Sequence, residues 1–175
     1  MSNQGSERDV LQALALEDAI RHQMDQVVRQ AAETVMFLKP TGGKESELRE
    51  NQIRNVINVA EESKSVGVVT NFIRYQIGRS AGGRQWQYNG FGLRVIKDIE
   101  AGVVTQAAED AAEKAAKKIG EGADQDALYR QAYLQLIRHY LGYLNRAFIF
   151  CTKTEETGHP EYKDPWGVVT RLKEV

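Results

Sequence analysis

Arginine is the residue type whose spacing in this chain asks for a chemical explanation. From Ser63 to Lys97 there is no Asp or Glu, yet the stretch carries Lys64, Arg74, Arg79, Arg84, Arg94 and Lys97. A guanidinium donates to phosphate oxygens through a planar fork, and an acid-free stretch leaves that potential uncancelled along the chain. Tyr75, Trp86 and Tyr88 are interleaved with Arg74, Arg79 and Arg84, and rings so placed can stack on bases or on a guanidinium. Gly78, Gly82, Gly83 and Gly90 would let backbone approach a phosphate closely. Trp86 and Tyr88, inside the glycine-rich AGGRQWQYNG, are the candidate stacking residues, whereas the spacing of Phe72 and Tyr75 suits a core. The competing reading pairs the arginines with Glu61, Glu62, Asp98 or the acidic segments elsewhere in the chain.

Charge distribution carries this argument; the net charge of −1 does not. The acids collect near the N-terminus, around 109–126 and in the tail, and such asymmetry says more about partners than the sum does. A second acid-free stretch, 127–154, carries Arg130, Arg138 and Arg146. Their eight-residue spacing turns each by about 80° from the last on a helix, so they spiral around it and line no single face.

Other chemistries find little support. His22, His139 and His159 lie far apart, and none shares metal-ligand spacing with Cys151. That lone cysteine ends an apolar helical pattern and reads as a buried structural thiol. The pairs Glu61–Glu62 and Asp98–Glu100 read as solvated helix faces, with no arrangement suited to a di-metal nuclease. GRSAGGR has the glycines of a phosphate loop without its G-K-[ST] ending or a preceding strand. The expectation is a protein that is no enzyme and needs no cofactor. The polar opening MSNQGSERD, the single cysteine and the lack of a long apolar run lead to the expectation of a cytoplasmic location without membrane contact.

The elements that must position these residues read as helices. No proline occurs between Pro40 and Pro160, which leaves glycine as the only strong breaker there. Ile20, Met24, Val27, Ala31, Val35 and Leu38 recur in steps of three and four, predicting one helix over 7–39. A second helix is expected from near Ser46, with Ile53, Val56, Ile57 and Ala60 on its inner face. In SVGVVTNFIRYQIGRS residue propensity favours a strand. The helical spacing of Val66, Val69, Phe72, Ile73 and Ile77 decides for a helix. A fourth helix is expected from Phe91 to Ile119, and a last one over 124–152 with Asp124 as its N-cap. The 175 residues suit one domain of ordinary size. The predicted fold is all-α: a single bundle of about five helices over 1–152, followed by an extended or flexible tail, 153–175.

ENQIRNVINVAEESKS followed by VVTNFIRYQIGRS resembles the small α-helical subunit of type III CRISPR effector complexes, the Csm-type small subunit. Gln52, Ile53 and Arg54 match a Q-I-R helix start in that family, and Tyr75, Gly78 and Arg79 match a later Y-x-x-G-R helix end. The resemblance covers residues 46–100 best and IRHYLGYLNRAFIF more loosely; Glu50 stands where the family usually has Ser or Thr. It implies a non-catalytic protein present in several copies, contacting guide RNA and target RNA beside other effector-complex subunits. Its expected RNA-binding residues are Arg54 and Arg79 from the motif, and Arg74, Arg84, Arg94 and Lys97 from the charge argument. Phosphate contacts of this kind position a nucleic acid without reading its sequence. The alternative from a different class is a helical protein–protein adaptor that binds no nucleic acid.

Overall fold

The computed structural model describes residues 3–158 and 164–171, and among them there is no β-strand. Seven α-helices have ten residues or more: α1 (Asn3–Arg21), α2 (Met24–Val35), α3 (Glu50–Glu62), α4 (Val66–Arg79), α5 (Phe91–Glu100), α6 (Val103–Ile119) and α7 (Gln125–Thr157). A short α8 (Pro165–Arg171) follows. The chain is therefore all-α, with more helices than the five or so expected.

The difference arises where two expected helices break. The helix read over 7–39 divides at His22–Gln23, where the sequence has no proline or glycine. There the His22 Nδ1 lies 2.7 Å from the Asp18 carbonyl oxygen, and the Gln23 amide reaches only three residues back, to Ile20. The two halves serve different neighbours, since α1 packs on α6 and α2 packs on α7. The helix read over 91–119 divides at Ala101–Gly102. A Cβ on Gly102 would stand 2.9 Å from the Asp98 Cα and 3.0 Å from the Lys97 carbonyl oxygen, so the turn closes too tightly for a side chain. The Thr105 and Tyr133 hydroxyls both donate to the Ile99 carbonyl, at 2.6 and 2.7 Å, and satisfy the exposed end of α5.

The segment with strand-like composition, 66–79, is helical. Its Val69 and Ile73 are fully buried, so the apolar period prevailed over local β-propensity. Between α2 and α3 the chain reverses at Thr41–Lys44, whose backbones exchange two hydrogen bonds. Gly42 and Gly43 supply the positive φ angles, 61° and 74°, that this tight turn requires.

The core is organised around α7, which packs against α2, α3, α6 and α8. Its Leu136, Ile137, Tyr140, Leu141 and Leu144 are all fully buried. The alanines of α6 at 107, 108, 111, 112 and 115 are buried as well, and their small side chains let α1 and α7 approach closely. Asp124 caps α7 as expected, its carboxylate accepting from the Ala127 amide at 3.0 Å. The expected tail boundary needs correcting, because α7 continues through Thr157 and α8 folds back onto α7 and α2. Trp166 and Val169 are buried there, and the Trp166 indole N–H donates to Glu155 at 3.0 Å. Residues 159–163 and 172–175 of the expected tail lie outside the described residues.

Candidate nucleic-acid interface

The six expected RNA-binding side chains fall into three groups. Arg74 and Arg79 stand on the last two turns of α4, and Lys97 stands on α5. These two helices run antiparallel: Ile77 meets the start of α5 at Gly92, while Arg74 reaches its end, donating to Glu100 at 2.7 Å. Lys97 lies three residues before Glu100 and so shares its face of the helix, which places Arg74 and Lys97 on one surface. Arg74, Arg79 and Lys97 are all exposed. Arg79 lies over the Tyr75 ring at 5.5 Å from its centre, and neither Arg79 nor Lys97 forms an ion pair among the described residues.

Arg54 and Arg84 form the second group, beside the start of α3. Arg54 pairs with Glu50 one turn before it. It lines a groove of about 830 Å³ between the chain near residues 45–54, α7 and α8. That groove mixes Arg49, Arg54 and Lys153 with Glu45, Glu50, Glu155 and Glu156, so it offers no net positive charge. Arg84 donates to Glu47 at 2.8 Å, and its carbonyl accepts from the Glu47 amide.

Arg94 stands alone and turns inward. Its guanidinium lies over the Phe37 ring at 5.7 Å, and its Nε is 3.0 Å from the Asp98 carboxylate. Asp98 is only 2 % exposed, so reading it with Glu100 as a solvated face does not hold. Its other oxygen accepts from the hydroxyl of Thr34, from Tyr140 at 2.8 Å and from the Gln30 amide at 3.3 Å. These donors come from α2 and α7, so the carboxylate joins three helices at one buried point. Burial nonetheless holds its carboxyl above the ordinary carboxylate range, against the lowering effect of those donors and of Arg94. Tyr140 is fully buried and its phenol is pushed well above its ordinary value, first by burial and then by the Asp98 charge.

The expected stacking pair is likewise corrected. Trp86 is 1 % exposed and Tyr88 6 %, so neither ring is offered to a ligand. Trp86 packs 5.5 Å from the Phe91 ring, and its backbone is held by the Ser80 hydroxyl and the Gly92 amide. Tyr88 donates to the Lys44 carbonyl at 2.8 Å, tying the loop to the 41–44 turn. Gly92 permits this fold, since a Cβ there would stand 2.8 Å from the Trp86 carbonyl oxygen. The exposed ring is instead Tyr75, 57 % exposed, although its spacing suggested core.

In the second acid-free stretch Arg138 has a structural task that the sequence did not disclose. Its guanidinium donates to the carbonyls of Ala60 at 2.8 Å and Ser63 at 3.2 Å, closing the end of α3. A cation there also opposes the negative end of the helix dipole. Arg146 lies over the Tyr143 ring at 5.4 Å. Cys151 is fully buried, and burial, reinforced by Glu155 and Asp164, pushes its thiol up to about 12. Among the described residues no group of three or more His, Cys, Asp or Glu is placed to hold a metal ion. Within the same residues no helix is long and apolar enough to cross a membrane.

No protein-family model, no curated protein and no solved structure matches this chain.

Proposed function

We propose that this chain is a non-catalytic small subunit of an RNA-guided complex of the type III CRISPR kind, repeated in several copies along guide RNA and target RNA. In this reading Arg74, Arg79 and Lys97 contact the RNA backbone, other effector-complex subunits carry the catalytic chemistry, and the protein works in the cytoplasm. The observation that carries it is that Tyr75, Gly78 and Arg79, the second element of the resemblance, are exposed and have little part in holding the fold. The first element differs. Ile53 is core and Gln52 accepts from the Arg49 amide at 2.9 Å, so both have structural reasons to be where they are.

Capture of a tagged copy from its own cells tests the proposal. The expected product is a ribonucleoprotein with short RNAs of uniform length and several tagged subunits per RNA. Binding of the purified chain to single-stranded RNA should fall log-linearly with salt, with a slope of about −0.7 per phosphate contacted. Lys97→Glu and Arg79→Glu should weaken it alike for all sequences, and unchanged affinity in both would remove the site assignment.

One observation favours a second reading, the protein–protein adaptor. Arg54, Arg74, Arg84 and Arg94 each pair with a carboxylate of this same chain, which lowers the field offered to a polyanion. An adaptor would be recovered with protein partners alone, and nuclease would not change that recovery.

A further inference from the structure

The outer face of α4 carries three side chains stacked in series. The Phe72 and Tyr75 rings lie 6.2 Å apart and tilted by 39°. The Arg79 guanidinium follows, 5.5 Å from the Tyr75 ring centre. Positions 72, 75 and 79 share one face of a helix, and Phe72 anchors the series against the core. The stack thus runs outward from the core and ends in a planar cation at the surface.

Gly78 lies beside this end. A Cβ built there would meet nothing within 4 Å, so packing gives no reason for a glycine. Inside a helix it forfeits roughly 1 kcal/mol relative to Ala. Its effect is to leave the backbone of the last turn bare next to Arg79. The negative end of α4 is partly covered as well. The Gln76 carbonyl accepts from Ser80 at 2.9 Å, and the Ile77 carbonyl accepts from the Gln87 amide at 2.8 Å.

We propose that Phe72, Tyr75, Gly78 and Arg79 form a platform for one unpaired RNA base. The base stacks on the Tyr75–Arg79 pair, and its sugar-phosphate passes over the bare backbone at Gly78 toward Arg74 and Lys97. A flat ring, a flat cation and a cleared backbone flanked by further cations match a nucleotide, which is flat on one part and anionic on the next. This rests on the RNA-binding reading and goes beyond it, because backbone contacts alone do not distinguish paired from unpaired strands. A paired base has both faces covered by its neighbours, so the platform demands a single strand.

The test is binding of the full chain to an unstructured RNA and to a duplex of the same length, with 2-aminopurine as a stacking reporter. Tyr75→Leu keeps bulk at an exposed position and removes the ring. It should lose about fivefold to a hundredfold in affinity for the single strand, with reporter quenching abolished and the salt slope unchanged. Tyr75→Phe should retain both affinity and quenching. Lys97→Glu should instead reduce the salt slope and leave quenching at saturation intact. If Tyr75→Leu binds and quenches like wild type while Lys97→Glu weakens binding, the platform is overturned and RNA binding stands. If the wild-type chain binds no RNA at low salt, both fall. Loss of a protein partner in Tyr75→Leu, with RNA affinity unchanged, would assign the stack to a protein interface and overturn the platform.

Discussion

Tyr140→Phe removes one oxygen from the buried polar cluster around Asp98 and leaves the ring in place. The lost bond is the 2.8 Å donation to Asp98, whose same oxygen keeps the Thr34 hydroxyl and the Gln30 amide. A hydrogen bond to a charged group contributes about 1.5–3 kcal/mol. The two remaining donors argue for the lower part of that range, about 2 kcal/mol. For a domain of this size that is a fall in Tm of roughly 4–8 °C. The pH dependence makes the test sharper. Burial raises the native carboxyl of Asp98 above its unfolded value. Between those two values the native state holds a proton that the unfolded state lacks. Wild-type stability from this group therefore rises as pH falls through the native value, because the cost of burying the charge is relieved. The Tyr140 bond favours the charged form, so its removal costs most at neutral pH and less once Asp98 is protonated. Urea unfolding of both proteins at pH 7 and at stepwise lower pH measures this difference. A variant as stable as wild type at pH 7, or a loss that does not shrink on acidification, would refute the account of Asp98 as a desolvated, donor-held charge.

Four further outcomes follow from single positions. Gly102→Ala must displace backbone atoms at 2.9 and 3.0 Å, and should destabilise by about 1–3 kcal/mol in urea unfolding. Gly78→Ala meets nothing and should stabilise by about 0.5–1 kcal/mol, while lowering RNA affinity if the bare backbone serves a ligand. Arg138→Met keeps much of the stem and removes the donors to the Ala60 and Ser63 carbonyls. It should cost about 1–2 kcal/mol, with faster amide exchange at the end of α3. Cys151, buried with its thiol pushed up to about 12, should resist a thiol reagent at pH 8 in the native protein and react fully on unfolding.

Helix periodicity was legible wherever it competed only with propensity, and α4 is the instance: valines and isoleucines favour strands singly, yet their spacing put Val69 and Ile73 into the core. The breaks were less legible because their causes are tertiary. Nothing local at His22–Gln23 announces that α1 and α2 serve different partners. Gly102 was visible, but Ile99 and Val103 continue the apolar period across it. The loop aromatics misled for a related reason. Glycines around Trp86 and Tyr88 suggested a surface, whereas glycine freedom lets this loop turn its rings inward, where a large apolar side chain gains most. Asp98 was hidden by its exposed neighbour Glu100, and the sequence gives no sign that Thr34 and Tyr140 converge on it. The tail differs from its expected extended form because Trp166 and Val169 lie in a short apolar run inside a polar tail, with too few residues for a period to appear.

The absence of acids from 63 to 97 did not become an absence of acids in space. The partners come from outside that stretch: Glu47 before it, and Asp98 and Glu100 after it. Helices bring residues four apart together, and antiparallel packing brings the end of α5 back to the middle of α4, so the flanking acids fold over the basic run from both ends. The resulting pairs are not equal. Arg94 and Asp98 are held in a buried network, and separating them would strand a charge, at a cost of about 3–5 kcal/mol. The Arg74–Glu100, Arg84–Glu47 and Arg54–Glu50 pairs have arginines at least half exposed, and such pairs contribute about 0–1 kcal/mol. A phosphate at Arg74 can therefore take over from Glu100 at little cost, whereas no phosphate can draw Arg94 from Asp98. Within the RNA-binding reading this ranks the residues physically. Arg79 and Lys97 are available at once, Arg74 is available by exchange, and Arg94 is committed to the fold.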